Sequence, residues 1–203
     1  MAWGLQVSRR SPTLNVGRLR KRISIVRVAS PQDSMGGQDV NVNVLYANVW
    51  ASVEALTGSE KFAAHEFVSE VSHQVVIRYI GAAPRWLATT NYLGNALVKD
   101  SNGNLQQAQS SGGLSGAAAP TWNPTLNGTT FDGDPSTGIT WKNLGPAPAR
   151  SGVNSSMQVW LNGRQFQISA VQNPDERNKM LLLLCVEVND SNQQNPVLGN
   201  GIG

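Results

Sequence analysis

Met157-Gln158-Val159-Trp160-Leu161-Asn162-Gly163-Arg164-Gln165-Phe166-Gln167-Ile168 is the stretch on which the fold turns. Met157, Val159 and Leu161 alternate with polar or amphipathic residues, and Phe166 and Ile168 resume the alternation after Asn162-Gly163. Period two is the signature of a strand with one buried face. Asn-Gly supplies the two positive φ angles that a two-residue type I′ turn demands. Two paired antiparallel strands are therefore expected here. Downstream, Asn173-Pro174-Asp175-Glu176 reads as a turn. Residues 180–188 follow as a last strand, whose unbroken apolar run from Met180 to Val186 implies burial on both faces.

Working back toward the N-terminus, Val75, Ile77 and Tyr79 alternate with Arg78 on the other side, giving a strand over 73–80 that Gly81 and Pro84 stop. Val49, Ala51, Val53 and Ala55 alternate with Trp50, Ser52 and Glu54, and Val40, Val42 and Val44 are able to extend this strand backward. Leu19, Ile23 and Ile25 mark another strand over 19–28. Thr57 and Glu60 form a capping box ahead of an apolar stripe of Ala64, Phe67, Val68 and Val71, which predicts one helix covering a side of the sheet. Residues 1–15 and 189–203 have no sustained period and read as a flexible basic arm and a flexible tail.

Residues 85–145 differ in character, with nine glycines, few charges and three of the six tryptophans. Such a shift marks an insertion with its own small core, expected at Trp86, Tyr92, Leu97, Trp122 and Trp141. The fold class is therefore mainly β: a small β-barrel with one α-helix, built from residues 16–84 and 146–188, plus a Gly- and Trp-containing β-rich module at 85–145. Closing a longer loop costs little extra entropy, so the insertion is tolerated where its ends meet at a rim, and it is expected to project outward.

Composition narrows the function. Charged residues make up 14 % of the 203-residue chain, and no apolar run approaches bilayer length, so no membrane partner is expected. Cys185 is the sole cysteine and, between Leu184 and Val186, reads as a core thiol. His65 and His73 are eight apart with no third ligand, and Asp132 and Asp134 lack the remaining oxygens and closing Glu of a calcium loop, so neither pair builds a metal site. No phosphate-binding glycine loop or nucleophile elbow is present. Catalytic residues, cofactor and metal are all expected to be none.

Three groups of residues are candidates for contact. Seven basic residues precede the first acid, Asp33, and Arg18, Arg20 and Arg22 stand among them as a solvated face, a salt-bridged ring contact or a seat for acidic neighbours. Trp50, inside an alternating strand, suits a subunit interface, where an aromatic buries much surface at low entropy cost. Trp122 and Trp141 have two readings, a saccharide-stacking platform or the module's core, and the scarcity of other large apolar residues there favours the core.

The order of elements resembles the head-tail joining, or head-closure (stopper), family of tailed phages. The resemblance is carried by Gly17-Arg18-Leu19-Arg20-Lys21-Arg22-Ile23, Val49-Trp50-Ala51-Ser52-Val53-Glu54, Thr57-Gly58-Ser59-Glu60, Val76-Ile77-Arg78-Tyr79, residues 160–168, Val171-Gln172-Asn173-Pro174-Asp175-Glu176 and residues 182–187. The insertion departs from that pattern. Through Trp86, residues 92–94, Asn102-Gly103-Asn104, Pro120-Thr121-Trp122, Asp132-Gly133 and residues 141–145 it looks like a small module appended to phage structural proteins.

The family resemblance implies a homo-oligomeric ring in the virion neck, assembled in the host cytoplasm between portal/adaptor proteins and tail-completion or tail-tube proteins, with packaged DNA passing through its channel. It implies ring or neighbour contacts for Arg18, Arg20, Arg22 and Trp50. It also makes the polar connection with Asp33, Met35, Gly36, Gly37 and Asp39 a candidate channel loop. Two rivals are a tail-completion (terminator) ring and a nucleic-acid-binding β-barrel; the latter lacks a strand alternating aromatic and basic residues.

Overall fold

The computed structural model describes residues 15–29, 41–56, 71–109 and 111–188. The expected helix over 57–70 with His65, the channel-loop candidates Asp33, Met35, Gly36, Gly37 and Asp39, the arm before Asn15 and the tail after Val188 lie outside the described residues. The strands are β1 (Lys21–Ala29), β2 (Asn41–Ala55), β3 (His73–Arg78), β4 (Asn91–Tyr92), β5 (Leu97–Lys99), β6 (Asn104–Ala108), β7 (Gly113–Leu114), β8 (Thr129–Asp132), β9 (Ile139–Pro146), β10 (Gln158–Leu161), β11 (Arg164–Gln172) and β12 (Met180–Val188). The third strand stops at Arg78, two residues earlier than its alternation suggests, and the second begins at Asn41.

Six of these strands close on themselves in the order β1-β10-β11-β12-β3-β2, every pair antiparallel. The fold is thus mainly β with a small closed barrel, and the two distant parts of the chain form it jointly. One seam sets Ser24 opposite Trp160 and Ile25 opposite Val159; the other sets Ile77 opposite Leu181 and Val75 opposite Leu183. Asn162 (φ 49°) and Gly163 (φ 80°) both lie in the left-handed region, as the type I′ hairpin between β10 and β11 requires.

The interior follows from the alternation. Ile23, Ile25, Val75, Ile77, Val159, Phe166, Ile168, Leu181, Leu183 and Cys185 are all buried in one cluster. Each large side chain so buried contributes about 1.5–3 kcal/mol, well above what any single turn supplies. Desolvation by this core pushes the Cys185 thiol up to about 12, so it stays protonated at neutral pH. The β1–β2 ladder carries two register shifts, Ile23 facing Val49, Ile25 facing Tyr46 and Val26 facing Val44. The extra residues of β2 are taken up around Asn48, whose φ of 55° suits a bulge and bends the strand into the barrel wall.

Residues between β3 and β10 form a four-stranded antiparallel sheet, β5-β6-β9-β8, and the two-stranded β4-β7. The ends of this stretch are pinned beside one another: Gly81 bridges Ser151, and Gly152 N–H donates to Ile80 O at 2.8 Å. Gly152 has no room for a side chain, since a Cβ would stand 2.4 Å from the Tyr46 hydroxyl and 2.8 Å from Gly81 O. One face of the four-stranded sheet leans on the barrel through Leu105 and Leu144. Leu97 corrects the sequence expectation: it packs against the barrel cluster and not in the aromatic core, because it alternates with Val98, which takes the opposite face. Polar ties cross the same boundary. Arg27 Nη1 donates to Leu144 O, Lys142 Nζ to Asn43 Oδ1 at 2.7 Å and Gln107 Nε2 to Val44 O at 3.0 Å.

Candidate interaction surfaces

The outer face of β1 and β2 gathers most of the basic candidates. Asn15 accepts the Gly17 N–H and caps a single 3-10 turn, Val16–Arg18, which delivers the chain into β1. Arg22 and Trp50 are directly opposed in the ladder. The Arg22 guanidinium lies 3.6 Å from the indole centroid while Nη1 donates to Asn48 O at 2.6 Å. The bulge therefore anchors the cation that covers the ring, and Trp50 is still 47 % exposed. A cation over an indole is worth about 0.5–1 kcal/mol at such an exposed site, enough to fix the ring's orientation. Arg18 pairs with Glu54 at 3.2 Å, whereas Arg20 Nε only reaches back to Gly17 O at 2.8 Å.

A second polar group lies where β3, β11 and β12 meet. Arg164 holds Glu187 with two hydrogen bonds, 2.6 Å from Nε and 2.8 Å from Nη2, and Nη2 also lies 3.2 Å from His73 Nε2. The other ring nitrogen, His73 Nδ1, faces Ser72 Oγ at 2.9 Å. Ser72 Oγ in turn accepts the Glu187 N–H at 2.9 Å, which marks the hydroxyl as a structural pin.

Hydrogen bonds from Arg164 hold the Glu187 carboxyl below its ordinary value of 4.5. A lowered carboxyl favours the folded state above the unfolded-state value, and that contribution disappears as pH falls through the folded value. Chemical denaturation followed from neutral pH downward is expected to show an acid decline beginning near 4.5 that is shallower in Glu187→Gln. Identical acid limbs in the two proteins would contradict the pairing.

The inserted sheet brings all four of its candidate aromatics together. Trp86 and Trp122 (6.4 Å), Trp122 and Trp141 (6.1 Å), and Tyr92 and Trp141 (5.0 Å) pack edge to face in one chain of rings. Trp141 is fully buried and has no face to offer as a stacking platform. Sequence reasoning missed the group that organises them. Asp132 Oδ2 accepts both indole N–H groups, from Trp86 at 2.8 Å and Trp141 at 3.0 Å, and Oδ1 accepts Gly116 N–H at 2.8 Å. Asp134, two residues on, only caps its own turn through Ser136. The available signal was the scarcity of acids in 85–145, where Asp100, Asp132 and Asp134 are the full set.

Among the described residues, no group of three or more His, Cys, Asp or Glu side chains converges as a metal site, and no helix is long and apolar enough to cross a membrane.

The chain thus presents a closed six-stranded antiparallel β-barrel whose outer wall carries an anchored, exposed indole. Residues 14–93 match the family model described as phage head completion protein. That match supports a phage head-closure family for the chain, and with it a structural role in phage head assembly. It spans β1–β3 and runs a short way into the inserted stretch. No curated protein matches the chain.

Proposed function

We propose that the barrel is one subunit of a homo-oligomeric ring in the phage neck, seated between portal/adaptor and tail, where it closes the DNA-filled head and gives the tail its docking surface. Residues 16–84 and 146–188 act as the head-closure domain in this reading, and 85–145 as an appended module. The observation that carries it is the head-completion match over the part of the chain that bears Arg22 and Trp50. The closed barrel has no free edge strand for pairing with neighbours, so contacts made by the barrel itself proceed through side-chain surfaces. An aromatic held in place before contact loses little entropy on docking, and anchors of this kind dominate interface energies. Arg18 and Arg22 are already engaged by Glu54, Trp50 and Asn48, which favours a protein contact over a track for phosphates.

Replacing Arg22 and Trp50 together by alanine is expected to leave the thermal transition of the monomer within a few degrees of wild type. Subunit association should weaken at least ~30-fold, the ~2 kcal/mol that marks an interface anchor. Sedimentation of the purified chain and DNA retention by mutant heads would both report it. Rings of unchanged stability, or an intact neck that lacks this polypeptide by cryo-electron microscopy, would overturn the assignment.

A further inference from the structure

A cleft of about 730 Å³ lies where the inserted stretch rejoins the barrel, a size within the ~300–1,000 Å³ typical of binding clefts. Its lining includes Tyr79, Val153, Ser155, Ala170, Val171 and Glu176. We propose that this cleft seats the chain's own amino-terminal segment, residues 3–8, laid extended along the end of β11.

Every barrel strand has two neighbours, yet β11 outruns β10. Residues 164–167 pair with β10, whereas 170–172 pair with β12 alone, Ser169 being passed over in a register shift. The chain ahead of β10 does not fill the gap, because Asn154 Oδ1 accepts the Ser156 N–H at 3.2 Å and the Ser156 hydroxyl at 2.7 Å and closes that stretch into a turn. Among the described residues, the cleft side of 169–172 therefore has no strand beside it. An extended segment entering there gains main-chain hydrogen bonds together with side-chain contacts, the mode of strand addition.

Position selects the occupant. The 3-10 turn Pro174–Glu176 places Glu176 in the cleft lining, while Pro174 lines an adjoining groove with Asn15, Arg18 and Met180. The amino-terminal segment thus sets out from Asn15 beside the turn that borders the cleft, and residues 8–14 span up to ~25 Å when extended. Other segments start elsewhere. The tail sets out from Val188, the length of β12 away from Met180, roughly 26 Å. Residues 57–70 leave and rejoin at Leu56 and Ser72, level with Cys185 toward that same far end. Residues 30–40 leave from Ala29 and Asn41, neither of which lines the cleft or the groove.

Composition agrees with position. Trp3, Leu5 and Val7 alternate with Gly4, Gln6 and Ser8, a run too short to stand as a strand alone but able to lay one apolar row into a cleft. These six residues carry no charge, and the cleft is balanced, with Arg150 its one cation and Glu176 its one acid. A track for phosphates would need an excess of cations. Arg9 and Arg10, next toward Asn15, would pass the acidic turn of Asp175 and Glu176.

Hydrogen exchange of the full chain tests the seat. Trp3→Ala with Leu5→Ala and Val7→Ala should speed exchange over 169–172 at least ~10-fold, leave 183–186 at the wild-type rate and keep the thermal transition where it is. Equal exchange at 169–172 in the two proteins would overturn the proposal. A second pair of substitutions reports which chain supplies the segment. Gln6→Cys with Ser155→Cys should oxidise to a disulfide within one chain, at the same yield over a ~10-fold range of protein concentration, as an intramolecular partner demands. Cys185 is buried and stays out of the reaction. A disulfide joining two chains, or no disulfide, would likewise overturn the assignment. Neither readout depends on whether the barrel forms a neck ring.

Discussion

Asp132→Ala is expected to lower the stability of the inserted sheet by about 3–5 kcal/mol, because it orphans three donors at once. The carboxylate is 2 % exposed and takes the indole N–H groups of Trp86 and Trp141 and the backbone N–H of Gly116. Alanine leaves those groups buried without acceptors and opens a void between two tryptophans whose packing defines the small core. Tryptophan emission should shift to the red in a transition that precedes barrel unfolding. Asp132→Asn keeps two acceptor lone pairs on one oxygen and should cost less, about 1–2 kcal/mol. A single thermal transition in Asp132→Ala coincident with wild type would show that the hub is dispensable.

Phe166→Ala is expected to strike the barrel itself. Phe166 is fully buried on β11, pairs with Val159 across the hairpin and with Glu187 on β12, and meets the His73 ring edge-on at 4.9 Å. It thus contacts strands from both parts of the chain. Truncating a buried phenylalanine costs about 3–5 kcal/mol. For a chain of this size, that corresponds to a fall of roughly 6–20 °C in melting temperature. Urea denaturation should register the loss as a lower midpoint, and the volume-sparing Phe166→Leu should recover most of it, costing under about 1.5 kcal/mol. Equal midpoints for Phe166→Ala and wild type would contradict the placement of this ring at the barrel's centre.

These two residues also show where reading the sequence works and where it stops. Phe166 is legible because a hairpin is a local object: Asn162-Gly163 dictates the turn, the turn dictates the register, and the register sends Phe166 and Ile168 inward. Likewise the apolar run of β12 declares its own burial. The start of β2 is less legible, since the extra residues around Asn48 interrupt the alternation, so that Leu45 reaches the same core as Ala51 only after a break. Leu97 was misplaced because composition identifies a core residue without saying which of two cores it enters. Asp132 lay beyond reach for a different reason. Its partners stand 46 and 9 residues away, and nothing local in Asp132-Gly133 distinguishes a turn from a buried acceptor. The Arg164–Glu187 pair, 23 residues apart, has the same character, as does the stacking of Arg22 on Trp50 across a bulged ladder.

The two seams of the barrel have a consequence for how the polypeptide is made. Strands β1–β3 leave the ribosome roughly 80 residues ahead of β10, a delay of roughly 4–16 s at ~5–20 residues per second. Throughout that interval the outer edges of β1 and β3 lack the neighbours that will later cover them. Such nascent edges are sticky toward one another in a crowded polysome. The intervening stretch, by finding its own aromatic nucleus first, would shorten the tether between the waiting strands and their late-arriving mates.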